Sequence, residues 1–574
     1  MPKDETLFKN LKEHSIAEFF RKNSQMLGYS GKIKSLTTVV HELMTNSLDA
    51  CEESNILPDI TVQVMQPEEG LVVIRSKDNG PGIPKQHISS VFGKMLAGTK
   101  FHRNIQLRGQ QGIGVAGVTM FSQMTTGKPV EIISVTKHTA WDIELTIDVR
   151  KNTADISSQK ELEPKPEVTG VEYFANFKDV QYSTGEQGPY EYLRRTALAN
   201  PHAQITYIDP SGAKTIFERT SNAIPPKPIE VKPHPKGVSV DDLIIMSKTS
   251  KNRTIKGMLQ DDFARMSPNK AKELSELVDF NIEKRPARLS WGEAEKIVKA
   301  FKKVKFLAPP TDCLRPIGQE RIEAAMKSIL APEFLAVVER RPTVYGGGYA
   351  FLVEVGVAYG GHAGRRLSSG EMRSEIMRFA NRAPLLFDTG GCGITKAVRD
   401  VDWKRYGLKN FDQLPVTVFV NLISTHIPYT GAGKQSISDS DDIQNEIRQA
   451  LMDVCRKFNK FHSHRRKLAE HTARKNKLLK YVTEISNALS ELLGKDEKEI
   501  RTYWENLVES AVGETIDDLE SKVAEQEKEA EKNEGVLKET VEDENGKSSV
   551  VYDSDADESP PENGDGISRL SDYM

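Results

Sequence analysis

The ten residues HELMTNSLDA, His41 to Ala50, decide how the rest of the chain is read. Leu43, Leu48 and their apolar neighbours predict the buried side of a helix that begins near Ser35. Glu42 and Asn46 stand four residues apart, so they project from one face of that helix. An acid one turn from an amide is common on solvent-facing helices. Its chemical use is nevertheless specific: Glu42 is suited to hold and polarise a water, and Asn46 to give an oxygen to Mg2+, which prefers an octahedral shell of oxygens and phosphates.

Three further elements extend this reading. DNGPGIP, Asp78 to Pro84, follows the strand-like LVVIRS and reads as a tight turn at which backbone approaches a ligand. Asp78 is suited to accept a hydrogen bond from an amino group such as that of adenine. GQQGIGVAG, Gly109 to Gly117, contains G-x-G-x-x-G at Gly112, Gly114 and Gly117. A dinucleotide fold is disfavoured, because KFHRNIQLRGQ before it is polar and Glu131 opens a strand instead of closing one. The loop still offers backbone N–H groups and a helix N-terminus to phosphates. Thr99 and Lys100 lie just upstream. YTGAGKQS, Tyr429 to Ser436, places Lys434 after two glycines. It is not a Walker A loop, since Pro428 and Gln435 break the pattern, but such a lysine is suited to offset charge on a transferring phosphate.

The 574 residues carry 79 Lys+Arg and 82 Asp+Glu, a formal net charge of −3. That sum hides a segregation. Residues 535–574 hold 11 acids and 3 bases, a net of −8, which leaves +5 on the remaining chain. Residues 231–306 have 17 bases and 10 acids, and residues 456–480 have 10 bases and one acid. Two basic blocks favour phosphate-backbone binding over a merely solvated face. The acidic segment DSDADESPPENGDG predicts a disordered tail. No run of about 18 apolar residues predicts a membrane span, and MPKDETLFKNLKEHS lacks the apolar core of a secretory signal. Cys51, Cys313, Cys392 and Cys455 lie far apart, which argues for a reducing compartment and against a structural zinc or disulfide framework.

The helix E-x-x-x-N-x-x-D-A, the strand followed by D-x-G-x-G and the glycine-rich loop, in this order over residues 42–117, resemble the GHKL ATPase superfamily with its Bergerat ATP-binding fold. The resemblance implies ATP and Mg2+ as ligands, Glu42 as general base, Asn46 as Mg2+ ligand and Asp78 as adenine reader. Asp49, Gly80, Gly82, Thr99, Lys100, Gly109, Gln110, Gln111, Gly112, Ile113, Gly114, Val115, Ala116 and Thr169 would complete the pocket and lid. Residues 229–306 look like the helix–two-turn–helix domain of the type IIB DNA topoisomerase B-subunit family, topoisomerase VI. RFANRAPLLFD (378–388), DWKRYGL (402–408) and IPYTGAGKQS look like that family's transducer. By this resemblance Lys434 reaches the ATP γ-phosphate, Trp403, Lys404 and Tyr406 match a W-K-x-Y motif near DNA, and Arg365 and Arg366 match a basic DNA-contacting loop.

The expected architecture is α+β: a GHKL α/β sandwich ATPase domain (1–228), a small all-helical domain (229–306), an α/β transducer with a long C-terminal helix (307–489), a helical extension (490–534) and the acidic tail. The implied activity is that of the ATPase clamp of a two-subunit topoisomerase. ATP binding would dimerise two such clamps to capture duplex DNA, while a separate A subunit cuts, in a cytoplasmic, nucleoid-associated A2B2 heterotetramer. Other readings are another GHKL machine, such as a MutL-like repair factor or chaperone, and an ATP-binding DNA scaffold.

Overall fold

The computed structural model of the chain describes residues 15–98, 105–109, 112–164, 167–346, 348–367, 369–431, 433–513 and 521. Thr99, Lys100, Gln110, Gln111 and the acidic tail lie outside the described residues. The chain divides into two compact units, residues 1–462 and 463–574.

The first unit opens on an eight-stranded sheet formed by β1 (Asp59–Glu68), β2 (Leu71–Lys77), β3 (Val130–Val135), β4 (Ala140–Asp148), β5 (Thr153–Leu162), β6 (Gly170–Phe177), β7 (Gln204–Ile208) and β8 (Lys214–Phe217). Their spatial order is β5-β4-β3-β6-β2-β1-β7-β8. Only the β1–β7 pairing is parallel. Alternation explains the layering: Ile60, Val62 and Val64 of β1 and Val130 and Ile132 of β3 are buried. They meet Leu36, Val39, Val40, Leu43, Met44 and Leu48 of the helix Lys32–Glu53 in one core. The helices Gly114–Thr126 and Pro189–Ala199 contribute Val118, Phe121, Tyr192 and Leu193 to the same core.

Residues 240–303 follow as four short α-helices, Val240–Thr249, Ile255–Asp262, Pro268–Glu276 and Trp291–Lys303. Their starts are written locally. Ser239 with Asp242 and Ser290 with Glu293 form reciprocal capping boxes, and Thr254 and Ser267 accept from the backbone N–H three residues on. These helices share their own core, built on Leu243, Met258, Leu259, Leu274, Ile297 and Phe301.

The second sheet comprises β9 (Phe334–Glu339), β10 (Thr343–Tyr345), β11 (Tyr349–Tyr359), β14 (Glu375–Ala380), β15 (Ala383–Pro384) and β16 (Val416–Ser424), while β12 (Arg365–Arg366) and β13 (Met372–Arg373) form a separate ribbon. Strand β16 is buried at every position, as a strand covered on both faces must be. Val416, Val418, Val420 and Leu422 meet Ile443, Ile447, Leu451, Val454 and Phe458 of the helix Asp441–Leu493. Phe419 faces the other way, toward Ile322 and Met326 of the helix Gln319–Leu330.

Glu354 sits in the middle of β11, fully buried, and accepts from the backbone N of Gly318 and from Asn421 Nδ2, each at 2.7 Å. Burial pushes its carboxyl up to about 7, against the pull of those two donors. A folded-state pKa above the unfolded value means that the folded chain holds the proton more tightly. Stability from this group is therefore present at acid pH and is lost as pH rises through about 7, a change of about 3 kcal/mol. The melting temperature is expected to carry this fall between about pH 4.5 and 7, and Glu354→Gln is expected to flatten it. Parallel profiles for the two proteins would show that Glu354 is ionised throughout.

The second unit continues that helix to Leu493. Gly494, with φ of 61°, ends it in a left-handed turn, and Asp496 caps the next helix, Glu497–Val508.

Candidate functional site

The helix Lys32–Glu53 forms one wall of a cavity of about 210 Å3. Asn46, Ser47, Glu53, Ser76 and Asp78 supply its polar lining, while Leu43, Ile83, Val91, Phe92, Val115, Val171 and Tyr173 supply most of the apolar walls. This is the balance expected where a flat heterocycle is sandwiched and read by a few polar groups.

Asp78 is buried at the end of β2. Its Oδ2 accepts from Ser47 Oγ at 2.8 Å, and its Oδ1 accepts from the backbone N of Gly80 at 2.9 Å and of Val171 at 3.1 Å. Burial raises the Asp78 carboxyl above its ordinary value, opposed by these three donors. A carboxylate offers about four acceptor positions, so one more N–H finds a place. Gly82, with φ of 70°, lets the loop run against β3, because a Cβ there would lie 2.1 Å from Val135 O. Thr169 is half-buried just before β6 and is not among the residues lining the cavity.

Glu42 is half-buried at the other end of the site. Its carboxylate lies so close to the start of the helix Gly114–Thr126 that a Cβ on Gly114 would come 2.0 Å from Oε2. Glycine at 114 is thus the condition for the acid to reach the helix N-terminus. Asn46 Nδ2 donates to the Glu42 carbonyl at 2.9 Å, so its amide nitrogen is used internally and its oxygen is the end left for a ligand. Val115 lines the cavity, whereas Ala116 and Ile113 pack into the core beneath it. Gly112 turns the chain with φ of 59°, and Gly109 stands in open space.

Lys434 arrives from a distant segment. Its Nζ donates to the carbonyl of Arg108 at 3.2 Å, at the base of the glycine-rich loop. Its charge and that of Glu42 both act on the half-buried His41, whose imidazole is held below its ordinary value mainly by desolvation. Glu42 and Lys434, 392 positions apart in sequence, therefore share one neighbourhood.

Other expected residues are placed as follows. Asp49 does not line the cavity; it is buried and pairs with Arg108 Nη1 at 2.6 Å. Arg365 is half-buried and pairs with Glu191 at 3.2 Å and Glu375 at 3.1 Å in a cluster with Arg194 and Arg195. Trp403 and Tyr406 are core residues. Trp403 stacks on Phe411 at 4.2 Å between ring centres and donates to Val398 O at 3.0 Å. The short helical turn they anchor leaves Lys404 exposed, and Arg366 is exposed as well.

Sequence reasoning missed Ser47, the apolar walls and a buried ion cluster. Arg108 Nη2 pairs with Glu52 at 2.6 Å and donates to Asn200 Oδ1 at 2.6 Å. Arg382 reaches Glu52 at 2.7 Å, and His202 Nε2 lies 3.0 Å from the same carboxylate. Burial raises the Glu52 carboxyl, but the two guanidinium groups outweigh it and hold the acid well below its ordinary range. The one local signal was an arginine directly before the glycine-rich loop.

A carboxylate-floored cavity, a helix bearing Glu42 and Asn46, and a lysine delivered from a second sheet define an ATPase joined to a transducer. Residues 31–163 match the family of histidine kinase-, DNA gyrase B- and HSP90-like ATPases. Residues 309–475 match the transducer of the topoisomerase VI B subunit. The chain is 49% identical over 504 residues to the B subunit of type 2 DNA topoisomerase 6 from Methanothermobacter thermautotrophicus, covering 87% of this chain and 95% of that one. It is 46% identical over 567 residues to its counterpart from Pyrococcus horikoshii, covering 91% and 99%. The chain belongs to the family of type 2 DNA topoisomerase 6 B subunits.

Proposed function

We propose that this chain is the ATP-operated clamp of a type IIB topoisomerase, working with a separate A subunit in an A2B2 heterotetramer that cuts and reseals duplex DNA. The observation that carries this is the approach of Lys434, on the transducer, to the carbonyl of Arg108, whose guanidinium grips the helix that carries Glu42. ATP would seat its base against Asp78 and Ser47, between Ile83, Val91, Phe92 and Tyr173. Glu42 would take the proton of the attacking water, and Lys434 would offset charge on the γ-phosphate. Asn46 has an amide oxygen available and fits as a single protein ligand of Mg2+, which binds through few side chains plus phosphates and water. Mg2+ when bound supplies neutralisation of phosphate charge. Gly80, Gly82, Gly109, Gly112 and Gly114 would let backbone approach the nucleotide. ATP binding would dimerise two such chains around a second duplex.

Exposed Arg366 and Lys404, with the lysines and arginines of residues 231–306, are the candidate DNA contacts. Phosphate contacts give affinity without sequence readout, which suits passage of any duplex. Such a protein acts in the cytoplasm beside the nucleoid, and its four cysteines, all free and buried, suit a reducing compartment. No helix among the described residues is long and apolar enough to cross a membrane.

Purification with the A subunit is expected to give relaxation of supercoiled plasmid that requires ATP and Mg2+. The chain alone is expected to hydrolyse ATP without cutting DNA. Double-strand cleavage by the chain alone would overturn the division of labour.

A further inference from the structure

Three consecutive residues at the base of the glycine-rich loop are each tied to a different place beyond residue 310. The backbone N of Gln106 donates to Cys313 O at 3.3 Å, and its Oε1 accepts from the backbone N of Arg315 at 2.5 Å. The Leu107 carbonyl accepts from Asn381 Nδ2 at 3.0 Å. The Arg108 carbonyl accepts from Lys434 Nζ. Gln106 and Arg108 are buried, so none of these bonds is readily exchanged for water.

Asn381 does more than hold Leu107. Its Nδ2 also donates to Ser424 O at 2.9 Å, and its Oδ1 accepts from the backbone N of Ser424 at 3.0 Å. Ser424 ends β16, the strand that leads into the Lys434 loop. The next residue, Arg382, pairs with Glu52 through its side chain and accepts from Asn200 Nδ2 at 3.2 Å through its carbonyl. Its backbone N donates to Asn421 Oδ1 at 3.2 Å. One two-residue turn between β14 and β15 thus touches the loop base, the far end of the Glu42 helix and the central strand of the second sheet.

That turn needs two left-handed residues, as a two-residue hairpin does, and Arg382 is a costly choice for the second. Asn381 and Arg382 have φ of 49° and 67°, two successive non-glycine residues in the left-handed region. An arginine held there persists only where the surroundings over-determine it, and such residues concentrate at functional sites.

We propose that the Asn381–Arg382 turn is a second reader of nucleotide state, acting beside Lys434. Any displacement of residues 106–108 on nucleotide binding or hydrolysis is passed through Asn381 to β14 and β16, while Arg382 keeps the turn registered on the Glu42 helix through Glu52. Asn381 and Arg382 are positioning residues and touch no substrate. This rests on the clamp reading given above.

Two measurements on the full-length chain test it. In the wild-type chain, a non-hydrolysable ATP analogue should change hydrogen exchange in residues 105–109 and in residues 375–384 and 416–424 together. A change at the loop base with none in the two strands would overturn the proposal. The second uses Asn381→Gly, which deletes the side chain while accepting the positive φ. In the complex with the A subunit it should lower the melting temperature by a few degrees, because Leu107 and Ser424 lose buried partners, and still retain ATP-driven dimerisation and the KM for ATP. It should relax about tenfold fewer supercoils per ATP hydrolysed, within the range usual for coupling between sites. The strand response to nucleotide should disappear with it. Wild-type coupling in Asn381→Gly would overturn the proposal, as would a lowered melting temperature with the strand response intact. If the wild-type complex does not relax plasmid at all, the clamp reading fails, and the exchange measurement still decides whether the turn follows the nucleotide.

Discussion

Glu42→Ala is expected to lose ATP hydrolysis while keeping ATP binding and ATP-driven dimerisation. The cavity that would take the base is lined by Asn46, Ser47, Glu53, Ser76, Asp78 and apolar side chains, and Glu42 is not one of its walls. Removing Glu42 therefore leaves the binding surface intact and takes away only the group placed to receive the proton. Its carboxylate stands where the helix Gly114–Thr126 begins, against a position that tolerates no Cβ. General-base contributions are typically about 10²–10⁴-fold, so kcat should fall by that order with KM little changed. Glu42→Gln preserves the size of the side chain, and it should be as inactive as the alanine variant if proton acceptance is the role. Hydrolysis by Glu42→Ala at the wild-type rate would remove Glu42 from the mechanism. A large rise in KM would instead make it a binding residue.

This division between binding wall and acid was legible in the sequence because both groups sit on short, local patterns. The spacing of Glu42 and Asn46 fixes their common face on any helix, and Asp78 with Gly82 is a turn written in seven residues. The four short α-helices between Val240 and Lys303 were equally local, each announced by Ser or Thr at its start. What failed to show was long-range. Glu52 and Arg382 are 330 positions apart, and nothing near either residue marks the other as its partner. Strand β5 escapes a sequence reading because TADISSQKEL is exposed along almost its whole length and so lacks the alternation that marks a half-buried strand. Trp403 and Tyr406 show a different limit of the sequence. An aromatic–basic cluster looks the same in sequence whether its rings stack on a ligand or on a neighbour such as Phe411. Arg365 likewise carries charge that the sequence counts alone, whereas Glu191 and Glu375 stand beside it in the fold.

Lys434→Ala is expected to reduce kcat by about 10²–10³-fold, the usual effect of removing one group that stabilises charge developing in a transition state. The substitution is clean at the backbone. Lys434 has φ of 51°, and alanine meets the same left-handed cost as lysine, so the loop is not relaxed as it would be by glycine. In this structure the ammonium is engaged with the Arg108 carbonyl. That bond has a second consequence: the variant should expose residues 106–109 to faster hydrogen exchange even before nucleotide is added. The two effects separate the roles. A lysine that only staples the loop would give faster exchange with kcat near wild type. A lysine that only meets phosphate would give slow hydrolysis with unchanged exchange. The geometry calls for both, because the carbonyl it holds belongs to the residue whose guanidinium grips Asp49 and Glu52 on the Glu42 helix. When Lys434 turns to phosphate it releases that carbonyl, and the loop base is left to Asn381 and to the carboxylates of the helix. Loss of supercoil relaxation in Lys434→Ala should therefore exceed its loss of hydrolysis. Relaxation that falls only in proportion to kcat would confine Lys434 to the chemical step.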